Sequence, residues 1–166
     1  MRTLILALLI FPMVGLGQTY IKLTDASGQQ IKGDATTKGF EKSIIVLSFA
    51  PSGKNNSQLS FSMNVTGASA DLKRAMGNGS LLPNGTLTVT QPGGAGITIS
   101  YTIKMENIKV NTCAESMGCN GVMTTTTVIT AARIGWTYYQ TDNTGKTSVS
   151  RKYGFDNESG KEWINF

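Results

Sequence analysis

Histidine is absent from this sequence. Without an imidazole, Ser-His-Asp and Cys-His nucleophilic centres are excluded. Cysteine is scarce, with Cys113 and Cys119 the only two, too few for a thiolate zinc site. Charge is thin as well, at 15 Lys+Arg against 10 Asp+Glu. Lys22, Lys32, Lys38, Lys42 and Lys54 are scattered, and no run of four basic residues occurs. A nucleic-acid footprint would be a clustered basic patch, so no nucleic-acid partner is expected. The carboxylates are dispersed; Asp156 and Glu158 sit beside Gly160 and read as bonding a turn, not as an acid/base pair. Pro92-Gly93-Gly94-Ala95-Gly96 lacks the G-x-x-x-x-G-K-[ST] pattern and leads into a strand, so it is no phosphate cradle. No catalytic residue, cofactor site or metal ligand emerges, and the chain reads as a non-enzyme.

One long apolar run is present. Residues 4–16 follow the basic start Met1-Arg2-Thr3 and end at Gly15-Leu16-Gly17. That is the layout of a secretory signal peptide spanning residues 1–17, with Gln18 as the new N-terminus. The run is shorter than the ~20 residues a membrane-spanning helix needs, and no second one follows. Residues 18–166 are long enough to bury ~70% of their unfolded surface around one core, which predicts a single domain. Export fits the cysteine usage. Cys113 and Cys119 enclose five residues with Gly118 among them, and a disulfide pinning this loop is favoured over a metal or redox role.

The dominant hydrophobic period is two. Leu59-Ser60-Phe61-Ser62-Met63-Asn64-Val65-Thr66 alternates without fault, and Ile97-Thr98-Ile99-Ser100-Tyr101-Thr102-Ile103-Lys104-Met105 repeats the pattern, as half-buried strands do. Ile108 and Val110 then fall on the other parity, which predicts a bulge near Glu106 and Asn107. Further strands are expected at 20–24, 40–49, 85–90, 123–139 and 147–155. In Ile44-Ile45-Val46-Leu47 both parities are apolar, so cover on both faces is expected. Residues 91–96 read as a hairpin connection, and 142–145 and 157–160 as tight turns. One helix is expected over 70–76, capped by Ser69, with Leu72, Ala75 and Met76 on one face and Gly77 or Gly79 stopping it. Trp136 and Tyr138 share parity and read as core, with an exposed aromatic platform as the alternative. The fold class is all-β, a β-barrel of two antiparallel sheets with one short helix.

The order of these features resembles the Hcp family, the tube-forming proteins of type VI secretion systems. Ile31-Lys32-Gly33-Asp34-Ala35-Thr36 with Lys38-Gly39-Phe40-Glu41 is similar to the family's "KGES-T … KGWIE" segment, and Ile45-Val46-Leu47-Ser48-Phe49 to its "I-x-L-S-F" strand. Residues 69–79 resemble its helix and 103–110 its "I-x-L-x-x-V-x-V" strand. Ile134-Gly135-Trp136-Thr137-Tyr138, then Tyr153-Gly154-Phe155-Asp156 and Gly160-Lys161, resemble its ending. The resemblance implies an Hcp-like subunit that self-assembles into hexameric rings, which stack into a hollow tube able to carry a small secreted effector in its lumen, with no cofactor. It also implies ring and stacking contacts around Gly33, Thr36, Lys38 and Phe40, and around Pro51, Asn55 and Gln58. The leader departs from the family pattern, because tube subunits assemble in the cytoplasm without one. The expected location is therefore secreted or periplasmic, in a bacterium. A secreted β-barrel binding module, recognising a glycan or a surface protein through loops and aromatics, is the alternative reading.

Overall fold

The computed structural model describes residues 17–93, 96–118, 121–142 and 144–166. The expected leader, apart from Gly17, and Cys119 lie outside the described residues. The elements run β1 (Thr19–Leu23), β2 (Ile44–Val46), β3 (Ser48–Ser52), β4 (Gln58–Asn64), α1 (Gly67–Asn78), β5 (Leu82–Gly93), β6 (Gly96–Met117), β7 (Met123–Thr141), β8 (Thr147–Asp156) and β9 (Lys161–Glu162).

All of these strands pair antiparallel in one sheet of order β2-β1-β5-β6-β7-β4-β3, with β8 on β7 and β9 on β8. The two sheets expected from the sequence are therefore one. The reason is length: β6 has 22 residues and β7 has 19, so a single strand pair runs through both halves of the molecule. β2 and β3 stand at opposite ends of the order yet are joined through Leu47 alone. The Leu47 N–H donates to the Ser62 carbonyl at 2.8 Å, and the sheet curls round to meet itself as a barrel. On β7, residues 124–130 pair with β4 and residues 133–141 pair with β8 along the same edge.

Period-two burial holds in the strands that carried it. Leu59, Phe61 and Met63 of β4 are at most 1% exposed, and they join Ile21, Leu87, Ile103, Met105, Ile129 and Trp136 in one core. Each such side chain contributes roughly 1.5–3 kcal/mol by leaving water. The expected phase slip is present at Asn107, which adopts the left-handed conformation (φ 50°). It is not a one-sided bulge. Glu106 faces Arg133 and Ile108 faces Ala131, so β7 changes phase opposite β6, and Ile134 and Ala131 are both buried. Arg133 sits at this change and donates to Glu106 Oε2 at 3.3 Å and Asp156 Oδ2 at 3.1 Å, tying β6, β7 and β8 together.

Two local expectations need correction. The run 44–47 is not covered on both faces: Ile44 and Val46 are buried, but Leu47 is 52% exposed where the chain leaves β1 for β4. The helix begins earlier than residue 70. Its N-cap is Thr66, whose N–H donates to Ser69 Oγ at 3.2 Å, and Ser69 occupies the third helical position. Ser69 Oγ also bonds Thr125 Oγ1 at 2.9 Å, which seats α1 on β7. Ala68, Leu72 and Ala75 face the core, whereas Met76 is 37% exposed. Gly79, left-handed at φ 63°, ends the helix as expected.

Candidate assembly surface

Among the described residues, β8 leaves a long stretch of main chain without a second strand beside it. β7 pairs with it from Thr147 to Asp156, whereas β9 covers its other edge only at Phe155 and Asp156. Residues 147–153 thus present an edge, and all but Thr147 are exposed. Val149 is 56% exposed and lies on this edge with Arg151 and Lys152. Charged residues on an edge limit indiscriminate strand addition. Nothing in the sequence says which strand lacks a second neighbour; the only signal is a β-type run polar on both faces.

Beside this edge the core ends in aromatic rings. Tyr101, Tyr138 and Arg151 are successive cross-strand partners, as are Trp136 and Tyr153. Tyr101 and Tyr138 have ring centroids 5.0 Å apart, and Tyr153 stacks on Trp136 at 4.7 Å. Trp136 is buried as expected, but Tyr138 (43% exposed) and Tyr153 (39% exposed) are not core. Both rings are partly exposed where the core ends. Burial, reinforced by the neighbouring Tyr138 phenol, pushes the Tyr101 phenol well above its ordinary range, so Tyr101 stays neutral at physiological pH.

The residues implied as contacts fall into two groups. Thr36, Lys38, Pro51 and Asn55 are exposed. Phe40 stacks on Tyr20 with centroids 4.3 Å apart, and Gln58 pairs with Ser52 and Thr130. Gly33 has an internal role: a Cβ there would lie 2.3 Å from the Ser43 carbonyl oxygen and 2.4 Å from the Ile44 Cα. Its N–H donates to the Lys42 carbonyl at 2.8 Å, so the segment 33–43 lies down on its own sheet.

The segment expected to be a cysteine-pinned loop is strand. Residues 112–117 of β6 pair with 123–128 of β7. Cys113 is a free thiol, 3.9 Å from the Ser69 carbonyl oxygen and 3.7 Å from Thr127 Oγ1. Its expected disulfide partner, Cys119, lies outside the described residues. Extension at ~3.3 Å per residue carries the chain ~13 Å from Cys113 to Met117. Among the described residues, no group of three or more His, Cys, Asp or Glu side chains could hold a metal ion.

Three aspartates close turns. Asp25 accepts from Ser27 and Gln29, Asp142 from Thr144 and Lys146, and Asp156 from Glu158 and Ser159. These hydrogen bonds hold all three carboxyls below their ordinary value, the Ser27 and Thr144 hydroxyls leading at Asp25 and Asp142 and the Ser159 N–H at Asp156. A carboxyl with a lowered folded-state pKa stabilises the fold above its unfolded value of about 4, and that contribution disappears as pH falls through the folded value. The melting temperature should hold steady from pH 7 to about 5 and drop below about 4. The triple variant Asp25→Asn, Asp142→Asn, Asp156→Asn should show a flatter acid limb; a limb identical to wild type would contradict this account.

Comparison with known proteins matches these features. A family model described as "Type VI secretion system effector, Hcp" matches residues 20–138. No curated protein matches the chain. Among solved structures, Hcp1 from Salmonella typhimurium is 18% identical, with a TM-score of 0.73 over 90% of this chain and 100% of that one. A structure titled as a type six secretion system protein is 22% identical, with a TM-score of 0.75 over 88% and 99%. The secreted protein Hcp3 from Pseudomonas aeruginosa is 18% identical, with a TM-score of 0.63 over 81% and 97%. These likenesses share the all-β architecture with its one helix, and the family match spans most of the barrel from β1 to the exposed tyrosine of β7. The chain belongs to the Hcp family of type VI secretion, the structural subunits of its rings and tubes.

Proposed function

We propose that residues 18–166 associate head to tail into hexameric rings, that the rings stack, and that the lumen takes a small secreted effector. The observation that carries the reading is the edge of β8 at residues 147–153, which no second strand covers among the described residues. A closed ring built from one repeated heterologous contact needs such an incomplete surface on every subunit. Export through residues 1–17 belongs to the same proposal, placing the protein outside the cytoplasm of a bacterium. Its support is that the expected new N-terminal residue is held on β5: the Gln18 N–H donates to Thr90 Oγ1 at 3.0 Å, and the Gln18 carbonyl accepts from the Thr90 N–H at 2.9 Å. A subunit of this kind acts by surface and shape and carries out no reaction.

Negative-stain electron microscopy of purified 18–166 should show rings with a central hole. Val149→Asp, on the exposed edge, should reduce ring formation at least tenfold while the melting temperature stays within a few degrees. Monomeric wild-type particles would sink the ring reading, and undiminished rings in Val149→Asp would remove β8 from the contact.

A further inference from the structure

Gly135 and Gly154 are direct cross-strand partners on β7 and β8. On the outer face of the sheet they leave a slot where two side chains would otherwise stand, and the Phe166 ring fills it. A Cβ at Gly135 would lie 2.5 Å from Phe166 Cζ, and one at Gly154 would lie 2.8 Å from Phe166 Cε1 and from the Trp163 carbonyl oxygen. Glycine is thus required here by close approach, not by turn geometry. The ring is held from three sides. Trp163 packs with its centroid 4.7 Å away, and the Lys152 ammonium sits 4.1 Å above the Phe166 ring. Lys152 also donates to the Phe166 main-chain oxygen. Behind the ring, β9 pairs with Phe155 and Asp156, and the Trp163 N–H donates to the Gly154 carbonyl at 2.9 Å. Main-chain pairing plus one pocketed side chain is the arrangement by which sheets recognise extended peptides.

We propose that the Gly135–Gly154 slot is a binding site for an aromatic side chain carried on an extended segment, and that its ligand in trans is Phe166 of a second copy. This rests on the ring reading, which brings copies together. Two observations favour exchange between copies. Phe166 and Trp163 are not part of the barrel's core cluster, so lifting residues 161–166 leaves that core intact. The segment leaves β8 through the turn at 157–160, whose last residue, Gly160, is left-handed at φ 68°. Beyond that glycine six residues span up to ~20 Å when extended, enough to reach a neighbour seated along the open edge of the same β8. Exchange of an identical element between protomers preserves every contact while joining two chains.

The test uses the full chain carrying Phe166→Ala and a fluorescein-labelled peptide of residues 160–166. Fluorescence anisotropy should show saturable binding at least tenfold tighter to Phe166→Ala than to wild type, whose slot is filled. The same peptide with its phenylalanine replaced by alanine should lose that binding, a comparison needing no change in the sheet. Adding Gly154→Val to Phe166→Ala should abolish it too, with circular dichroism checking the fold. Equal binding to Phe166→Ala and wild type, or equal binding of the two peptides, would overturn the slot. Sedimentation velocity then reads the second-copy claim: Phe166→Ala should lose at least half of the assembled species. Undiminished assembly alongside peptide binding would overturn exchange between copies. If wild type itself forms no rings while the peptide still binds, the failure belongs to the ring reading and not to the slot.

Discussion

Gly33→Ala should destabilise the protein by about 3 kcal/mol, lowering the melting temperature by roughly 6–12 °C for a chain of this size. The methyl group would enter main chain, at 2.3 Å from the Ser43 carbonyl oxygen and 2.4 Å from the Ile44 Cα and N. Main-chain atoms cannot swing aside as a flexible side chain can. Relief therefore requires lifting segment 33–43, which breaks the Gly33-to-Lys42, Ala35-to-Ser43 and Lys42-to-Ala35 hydrogen bonds and unseats Phe40 from Tyr20. Thr36→Ala and Lys38→Ala, exposed on the same segment, should fall within about 0.5 kcal/mol of wild type. Thermal melts followed by circular dichroism would decide it, and a Gly33→Ala midpoint within two degrees of wild type would refute the packing role. A larger residue such as arginine at position 33 would report on folding and not on assembly.

The second large effect is expected at Trp136. Truncation to alanine removes a side chain that is 2% exposed and stacked on Tyr153, for a loss of about 3–5 kcal/mol. Tyr138→Ala, two residues along the same face but 43% exposed, should lose only about 1 kcal/mol, mainly its ring contact with Tyr101. Urea titrations of both variants give the comparison directly. Similar losses at the two positions would mean that the aromatic end is closed and uniformly packed, contrary to the exposure gradient.

The contrast between these tyrosine and tryptophan neighbours shows what can be read from residues alone. Parity assigns Trp136 and Tyr138 to one face, and it is right about the face. It cannot say where the core stops along that face, because this depends on which strands reach that far. Period-two alternation in β4 and β6 and the parity change near Asn107 were legible because each is written in consecutive residues. Leu47 is the opposite case. A continuous apolar run looks like a strand covered on both faces, whereas here the chain changes partners at that residue and turns its side chain outward. Ser69 has the side chain of a good capping residue, but Thr66, three positions earlier, has the extended backbone that a cap requires. The glycine slot was out of reach altogether: Gly135 and Gly154 meet only through the register of β7 on β8. Close spacing of the cysteines suggests a loop from residue 112 on, whereas residues 112–117 continue β6, because their pairing with 123–128 of β7 is written only in the strand register.

The handover on β7, from β4 to β8 along one edge between Thr130 and Arg133, gives the molecule a seam. The strands that close the barrel lie on one side of it, and the β8–β9 flap, held to the rest chiefly by β7 and by the Arg133 pairs, lies on the other. Such a layout has two opening energies instead of one. The flap should peel away first, and amides on β8 should exchange with deuterium well before those of β4 and β5. A subunit with this seam can yield along β8 and β9 while the strands that close the barrel stay paired.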